Sequence, residues 1–119
     1  MKKIIPAIFV ILLVYSCKKE KEETHQVKLM MQENSAYHPQ YLICYGVSSN
    51  GVTACYNDTA SAYQYEEAAA KTGFKVRMEL TCNDPHHDFT LKYFLDGNLV
   101  QSFHMDSTHT SGSVYDEIK

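Results

Sequence analysis

Apolar and polar residues alternate along residues 74–82, and this is the clearest pattern in the chain. The apolar positions are Phe74, Val76, Met78, Leu80 and Cys82. Because successive side chains of a β-strand point to opposite faces of its sheet, this period of two predicts a strand with one buried face. The same alternation covers residues 89–95 and 99–105, on either side of Asp96-Gly97, a dipeptide typical of tight hairpin turns. We therefore expect a strand followed by a β-hairpin.

Shorter patterns predict strands in other parts of the chain. Residues 27–31 indicate a first strand, and residues 40–47 and 52–57 flank the sequence Ser-Ser-Asn-Gly at 48–51. An Asn-Gly dipeptide readily adopts the positive φ of a hairpin turn, so these two segments are expected to pair. The tail from Thr110 onward is expected to add a final edge strand or to fray.

The segment at residues 61–71 is ambiguous between helix and strand. The run of Glu and Ala at its centre has a high helix propensity. A strand at residues 63–70, turning at residues 71–73 into the next strand, gives instead the regular hairpin spacing of a β-sandwich. We predict the strand, and with it an all-β fold: a small antiparallel β-sandwich of immunoglobulin-like type that spans residues 27–119.

The first seventeen residues resemble the signal region of bacterial lipoproteins. Two lysines follow the initial Met, a dozen mainly apolar residues extend to Tyr15, and Ser16 precedes Cys17. The apolar run is too short to span a bilayer but suits a signal peptide. The resemblance implies removal of residues 1–16 and acylation of Cys17, which gives a permanent lipid anchor. An uncleaved anchor or an ordinary signal peptide is the alternative.

Charged and polar residues fill the segment that follows the cysteine. Residues 18–26 cannot bury enough apolar surface to offset chain entropy, so residues 17–26 are expected to form a lipidated, flexible tether. The sequence Lys-Glu-Glu at 21–23 resembles the charged export signal of surface lipoproteins in Bacteroidetes-type bacteria. The resemblance implies an outer-membrane lipoprotein, either displayed on the cell surface or facing the periplasm.

The predicted domain has an acidic charge balance. From residue 27 onward the chain has six Lys and Arg against eleven Asp and Glu, which gives a formal charge of −5. Nucleic acids and anionic lipid surfaces both select basic patches, whose charges displace counterions. We therefore expect no nucleic-acid partner, and contact with the membrane through the lipid anchor.

The order of the strand sequences resembles a known family. A tyrosine-rich strand at residues 41–47 leads to residues 52–58, then to Gly-Phe-Lys-Val at 73–76 and finally to residues 91–100. This layout is similar to the extracytoplasmic β-sandwich of the mycobacterial small membrane proteins called MmpS. Because MmpS proteins work with large exporters of lipids and siderophores, the resemblance implies an accessory role beside a membrane transporter.

Four cysteines are present, and acylation of Cys17 leaves three of them. Pairing of the strands about the turn at 48–51 places Cys44 opposite Cys55, within reach of a disulfide. Two buried free cysteines that act as small apolar residues also fit the sequence. Cys82 is in phase with the apolar positions of its strand, so we expect it in the core.

Histidines and carboxylates cluster in two segments, Asp-Pro-His-His-Asp at 84–88 and His-Met-Asp-Ser-Thr-His at 104–109. Pairing about the Asp-Gly turn sets Phe89 opposite His104, which brings both segments to one end of the hairpin. Imidazoles and carboxylates suit Zn²⁺ or Cu²⁺, although such loops are also common as plain solvated turns. The candidate metal ligands are His86, His87, His104 and His109.

Tyrosines crowd the first half of the domain. Exposed tyrosine rings stack on sugars or anchor protein interfaces, whereas buried ones pack within a sandwich, and the sequence leaves both roles open. The residues concerned are Tyr37, Tyr41, Tyr45, Tyr56, Tyr63 and Tyr65.

The motifs that usually identify a catalytic site are missing from the chain. It has no nucleophile elbow, no Cys-x-x-Cys pair, no glycine-rich phosphate loop and no zinc-hydrolase helix motif. We therefore expect no enzyme activity. Two functions stay open: a lipid-anchored interaction module that docks on a membrane transporter or envelope protein, and a binder of a metal or a glycan at the histidine-bearing loops.

Overall fold

The folded domain lies in residues 23–119, the part of the chain that the computed structural model describes. Within these residues the structure consists of strands and the loops between them. The predicted strand at residues 63–70 is confirmed as β4, and the tail forms a strand instead of fraying. The strands are β1 (Thr24–Glu33), β2 (Tyr41–Ser48), β3 (Ala54–Asp58), β4 (Ala62–Lys71), β5 (Lys75–Thr81), β6 (Phe89–Leu95), β7 (Asn98–Met105) and β8 (Ser111–Glu117).

Two antiparallel sheets of four strands each pack face to face. The strand order is β4-β1-β6-β7 in the first sheet and β3-β2-β5-β8 in the second. Strands β1 to β5 and β8 follow the pairing of an immunoglobulin-like sandwich, and the β6–β7 hairpin occupies the place beside β1 that a first strand normally fills. The prediction of a small, all-β, antiparallel sandwich is confirmed.

The core lies between the two sheets and follows the alternation of the sequence. In β5, Val76, Met78 and Leu80 are fully buried, and the residues between them face outward. In the other sheet, Leu29 of β1 and Leu91 of β6 lie on the same inner layer. Because these inner side chains are buried between the two sheets, their packing fixes the relative position of the sheets.

The hydroxyl groups of two large buried tyrosines each form a hydrogen bond. Tyr41 donates to the carbonyl of Ala60 at 2.7 Å, and Tyr93 donates to the Asp116 carboxylate at 3.0 Å. Burial raises the pKa of Tyr41 to about 12, and it is also the main cause of the raised pKa of Tyr93. Both side chains therefore act as neutral core residues.

A β-bulge in β7 shifts the register of the β6–β7 hairpin. Val100 is the extra residue, since pairing slips by one position between the turn and the centre of the hairpin. The prediction that Phe89 lies opposite His104 is therefore wrong by one residue: Met105 faces Phe89, and His104 faces Thr90. The slip places Met105 in the core and leaves His104 exposed.

The two long sides of the sandwich are closed in different ways. Where β7 and β8 meet, the side-chain amide of Gln101 joins the two sheets. Its Nε2 donates to the Tyr115 carbonyl at 2.7 Å, and the Tyr115 N–H donates to its Oε1 at 3.1 Å. On the opposite side β3 and β4 are edge strands, and Tyr45 of β2 packs on Tyr63 and Tyr65 of β4.

The predictions for the N-terminus fall outside the described residues. The signal peptide at 1–16 and the lipidation of Cys17 precede residue 23. The flexible tether was predicted to extend to residue 26, yet β1 already begins at Thr24, because this segment pairs with β4 and the Gln26 backbone bonds to Asp96. Among residues 23–119 there is no helix with the length and apolar character needed to cross a membrane.

Candidate functional site

Four loops meet at the end of the sandwich that lies opposite the entry of the chain at Thr24. We call them the distal loops, and they comprise residues 34–40, 59–61, 82–88 and 106–110. The N–H of Asn34 donates to the Asp88 carbonyl at 2.7 Å, and the N–H of Cys82 donates to the Thr110 carbonyl at 3.0 Å. The prediction that the two histidine-bearing segments meet at one end is confirmed.

The distal end has acids and histidines but no Lys or Arg. Counted with the strand residues beside them, the distal loops contain five acids: Glu33, Asp58, Asp84, Asp88 and Asp106. They also contain five histidines: His38, His86, His87, His104 and His109. The cations of the described residues lie elsewhere, at Lys28, Lys71, Lys75, Arg77, Lys92 and Lys119. This separation gives the distal end a negative potential at neutral pH.

Two of the distal carboxylates, Asp88 and Asp106, are held in their charged form. Hydrogen bonds from the Asn34 amide, and then from His104 at 2.7 Å, lower the pKa of Asp88. The pKa of Asp106 falls to about 2, chiefly because Thr108 donates its hydroxyl and its backbone N–H to the carboxylate. Both groups therefore contribute full negative charges to the distal end.

His87 is a structural residue of the distal loops and is only 3% exposed. Its Nδ1 lies within hydrogen-bond distance of the Asp84 carbonyl, and its Nε2 lies within hydrogen-bond distance of the His109 carbonyl. The ring therefore joins two of the distal loops. Both nitrogens are turned toward carbonyl oxygens of the loops, so neither is directed at a ligand position shared with the other histidines.

The remaining candidate ligands also have separate partners. The His86 ring stacks on Tyr37, with centroids 4.5 Å apart, and His109 Nδ1 lies 3.2 Å from Asp106 Oδ1. Among residues 23–119, no group of three or more His, Cys, Asp or Glu side chains is arranged to hold a metal ion. The loops meet, but each imidazole turns to a different neighbour. The four candidate ligands His86, His87, His104 and His109 are therefore not gathered into one site here, and the zinc or copper site stays a prediction.

Glu33 is a buried acid beneath the distal loops, with 6% of its surface exposed. Its Oε1 accepts hydrogen bonds from the N–H and the hydroxyl of Ser35. Its Oε2 is buried and has no hydrogen bond within the described residues, while the exposed imidazole of His38 lies 3.5 Å away. A buried carboxylate oxygen without a donor is costly, so the position of Glu33 lowers the stability that the distal loops would otherwise have.

Cys44 and Cys55 form a disulfide, as predicted. They are directly opposite each other in the pairing of β2 with β3, on the face away from the buried Ile43. The bond therefore fastens an edge strand of only five residues to its neighbour. Cys82 is a free, buried thiol, as predicted, and burial raises its pKa.

Sequence reasoning missed the burial of Glu33 and the contact between Tyr37 and His86. The first had a signal, because Glu33 continues the inner phase of Val27, Leu29 and Met31 along β1. The second had none, since it depends on how two loops that each connect the two sheets lie against each other.

The comparisons with known proteins identify no family for this chain. A scan of protein-family models finds no match to the chain, and a search of curated proteins finds none either. The resemblance to MmpS proteins therefore stays a prediction.

Proposed function

We propose that this chain is a lipid-anchored lipoprotein of the outer membrane that acts as a non-catalytic interaction module. Its partner is a membrane transporter or another envelope protein, which contacts the distal loops through a basic segment. Cys17 provides the anchor, and the sandwich presents the distal loops. This is the accessory role that the resemblance to MmpS proteins implies.

The observation that carries the proposal is the position of the acidic end relative to the anchor. The chain enters β1 at Thr24, seven residues after Cys17, and the distal loops lie beyond the other end of that strand. A strand of ten residues is about 33 Å long. The negative charges thus lie far from the membrane-proximal end, where a protein partner can reach them.

The distal loops are ordered before any partner binds. Oδ1 of Asp58 accepts hydrogen bonds from the N–H groups of Thr59 and Ala60, and Oδ1 of Asp84 accepts one from the N–H of His86. A preformed surface loses little conformational entropy on association. Lys and Arg side chains of the partner would donate to these fixed carboxylates.

Photo-crosslinking at two equally exposed positions tests the docking end. Tyr37 is 66% exposed in the distal loops, and Val52 is 65% exposed at the other end of the sandwich. Each is replaced in turn by p-benzoylphenylalanine in the full-length chain, and cells are irradiated before their membranes are extracted. We expect a defined envelope protein to crosslink at Tyr37 and not at Val52. A crosslink at Val52 alone, or at neither position, would contradict the proposal.

The lipid anchor is tested separately with Cys17→Ala. We expect this variant to leave the membrane fraction, because it lacks the sulfur that is acylated. Cys82→Ala is the control, since it removes a cysteine that lies in the core, and it should stay in the membrane fraction. Membrane association of Cys17→Ala equal to that of the control would exclude the lipoprotein assignment.

A further inference from the structure

A groove lined by tyrosines lies on the open side of the sandwich, between the edge strands β3 and β4. Its volume is about 350 Å³, and its lining includes Tyr45, Val47, Val52, Tyr56 and Tyr65. We call it the tyrosine groove. The described side chains that line it carry no charge.

Three tyrosine rings surround Tyr45: Tyr56 and Tyr65 line the groove with it, and Tyr63 lies beside the groove. The centroid of Tyr45 lies 4.9 Å from that of Tyr65, 5.1 Å from that of Tyr63 and 5.8 Å from that of Tyr56. Tyr63 donates its hydroxyl to that of Tyr45, and this bond is the main cause of the raised pKa of Tyr45. Burial is the main cause of the raised pKa of Tyr65. The groove therefore presents ring faces and neutral phenol hydroxyls.

The disulfide fixes the two rings that the second sheet contributes. Tyr45 follows Cys44 directly, and Tyr56 follows Cys55 directly. Because successive residues face opposite sides of a sheet, the disulfide lies on the outer face and both rings lie on the inner face. Tyr56 pairs with the buried Ile43, yet it is 51% exposed. Tyr56 thus stacks on Tyr45, with centroids 5.8 Å apart, and still leaves half of its surface open to a ligand.

A neutral sugar matches the chemistry of the tyrosine groove. The C–H groups of a pyranose ring form an apolar face that packs on an aromatic ring, and its hydroxyls find donors and acceptors in phenol groups. A charged ligand would lose hydration without gaining an opposite charge from the lining. Ligand pockets range from about 300 to 1,000 Å³, so this volume suits one or two sugar rings.

We propose that the tyrosine groove binds a neutral saccharide, with Tyr56 as the ring on which the sugar stacks. Tyr65 forms the wall that β4 contributes, and the disulfide keeps β3 in place beneath Tyr56. The groove lies on the side of the sandwich and shares no lining residue with the distal loops. The saccharide site is therefore independent of the proposed function.

Tyrosine fluorescence gives a direct readout of binding, because the chain has nine Tyr and no Trp. The full-length protein, in a detergent without a sugar headgroup, is titrated with maltohexaose, cellohexaose, laminarihexaose and mannohexaose. We expect at least one of them to change the fluorescence with a Kd below about 5 mM.

Matched tyrosine variants locate the site. Tyr56→Ala is compared with Tyr115→Ala, because both residues are 51% exposed and Tyr115 lies on β8, outside the groove. We expect Tyr56→Ala to weaken binding about tenfold or more, Tyr115→Ala less than about twofold, and Tyr56→Phe less than about threefold. If Tyr56→Ala shows no cooperative melting, Val52→Glu replaces it; a carboxylate at the groove should abolish binding without removing a ring.

Three results would overturn the saccharide site. The first is the absence of binding by all four hexasaccharides, and the second is an equal loss in the Tyr56 and Tyr115 variants. The third is a concentration-dependent dimer that Tyr56→Ala abolishes, which would assign the groove to a second copy of the chain. None of these results affects the crosslinks at Tyr37, so the saccharide site and the proposed function can fail separately.

Discussion

His25 and Asp96 connect the start of the domain to the turn between β6 and β7. Nδ1 of His25 lies 2.7 Å from Oδ2 of Asp96, and Oδ1 accepts the Gln26 N–H at 2.9 Å. The hydrogen bond to Asp96 is the main cause of the raised pKa of His25, and the same bond is the main cause of the lowered pKa of Asp96. Asp96 also has a φ of 51°, a left-handed value that Asp tolerates in turns. A single side chain thus shapes the turn and fixes the first strand.

We expect this ion pair to make the stability of the domain depend on pH. The pKa of His25 is raised above 6.5, so its contribution is complete below that value and is lost as the pH rises through the raised pKa. The pKa of Asp96 is lowered below 3.8, so its contribution is present above that value and is lost as the pH falls. The full effect lies between these two pH values. Melting temperatures measured by circular dichroism across this range and up to about pH 9 check it.

His25→Gln isolates the ion pair from the other titrating groups. We expect the variant to melt below the wild type at about pH 5.5 and at the same temperature by about pH 9. Asp96→Asn should behave alike, because Asn accepts the left-handed turn conformation but has no charge. A difference in melting temperature that stays constant over this range would show that the pair contributes no charge interaction.

At the scale of the elements, period-two patterns were sufficient to predict the strands because each strand has one face in the core. For β4 the local helix propensity of Glu66 to Ala70 opposed this pattern, and antiparallel pairing with β1 overrides it. The bulge at Val100 could not be predicted, because packing selects it: the extra residue brings Phe103 and Met105 opposite inner residues of β6. Turn residues fix a register only up to the first irregularity.

Gly46 allows β2 to approach the end of its own hairpin. A Cβ at this position would lie 2.3 Å from the carbonyl oxygen of Val52, a backbone atom that cannot move unless the hairpin opens. We expect Gly46→Ala to lower the free energy of unfolding by about 1–3 kcal/mol in urea denaturation. The exposed substitution Ser113→Ala on β8 should change it by less than about 0.5 kcal/mol. Equal midpoints for the two variants would mean that the hairpin accommodates the methyl group.

The side-chain amide of Gln101 forms hydrogen bonds with the backbone of β8, as a neighbouring strand would. This amide both donates to and accepts from the main chain of Tyr115, so Gln101→Leu removes two hydrogen bonds between the sheets. We expect a loss of about 1–2 kcal/mol in the free energy of unfolding. The Tyr115 amide should also exchange its hydrogen faster than in the wild type. Ser102→Ala, at the next residue, should leave that exchange rate unchanged, and an unchanged rate in both variants would argue against the role of Gln101.

For the whole molecule, the sequence predicts which segments meet but not what their side chains contact. Strand direction alone brings the histidine-bearing segments to one end, and that prediction is confirmed. The metal site stays a prediction, and the contacts of His87 with two carbonyl oxygens are a feature that no residue spacing reveals. The tyrosine groove was out of reach for a similar reason, since Tyr45 and Tyr65 belong to different sheets and meet only after the sheets pack.

The separation of charge along the molecule predicts how added lysines act at its two ends. Three lysines placed at exposed, uncharged distal positions should repel a basic partner, and no Asp that orders a loop is removed. This distal variant carries Thr59→Lys, Asn83→Lys and Ser107→Lys. The control carries the same added charge at exposed positions of the other end, as Ser49→Lys, Thr72→Lys and Asn98→Lys.

With p-benzoylphenylalanine at Tyr37 in isolated membranes, we expect the distal variant to capture about tenfold less partner than the wild type, and the control to capture about as much. The reason is distance, because charges more than a Debye length of about 10 Å from the contact are screened. Salt at about 0.5 M should therefore lower capture by the wild type toward that of the distal variant. An equal loss in both lysine variants would mean that the partner responds to net charge, and the distal loops would no longer be the docking end.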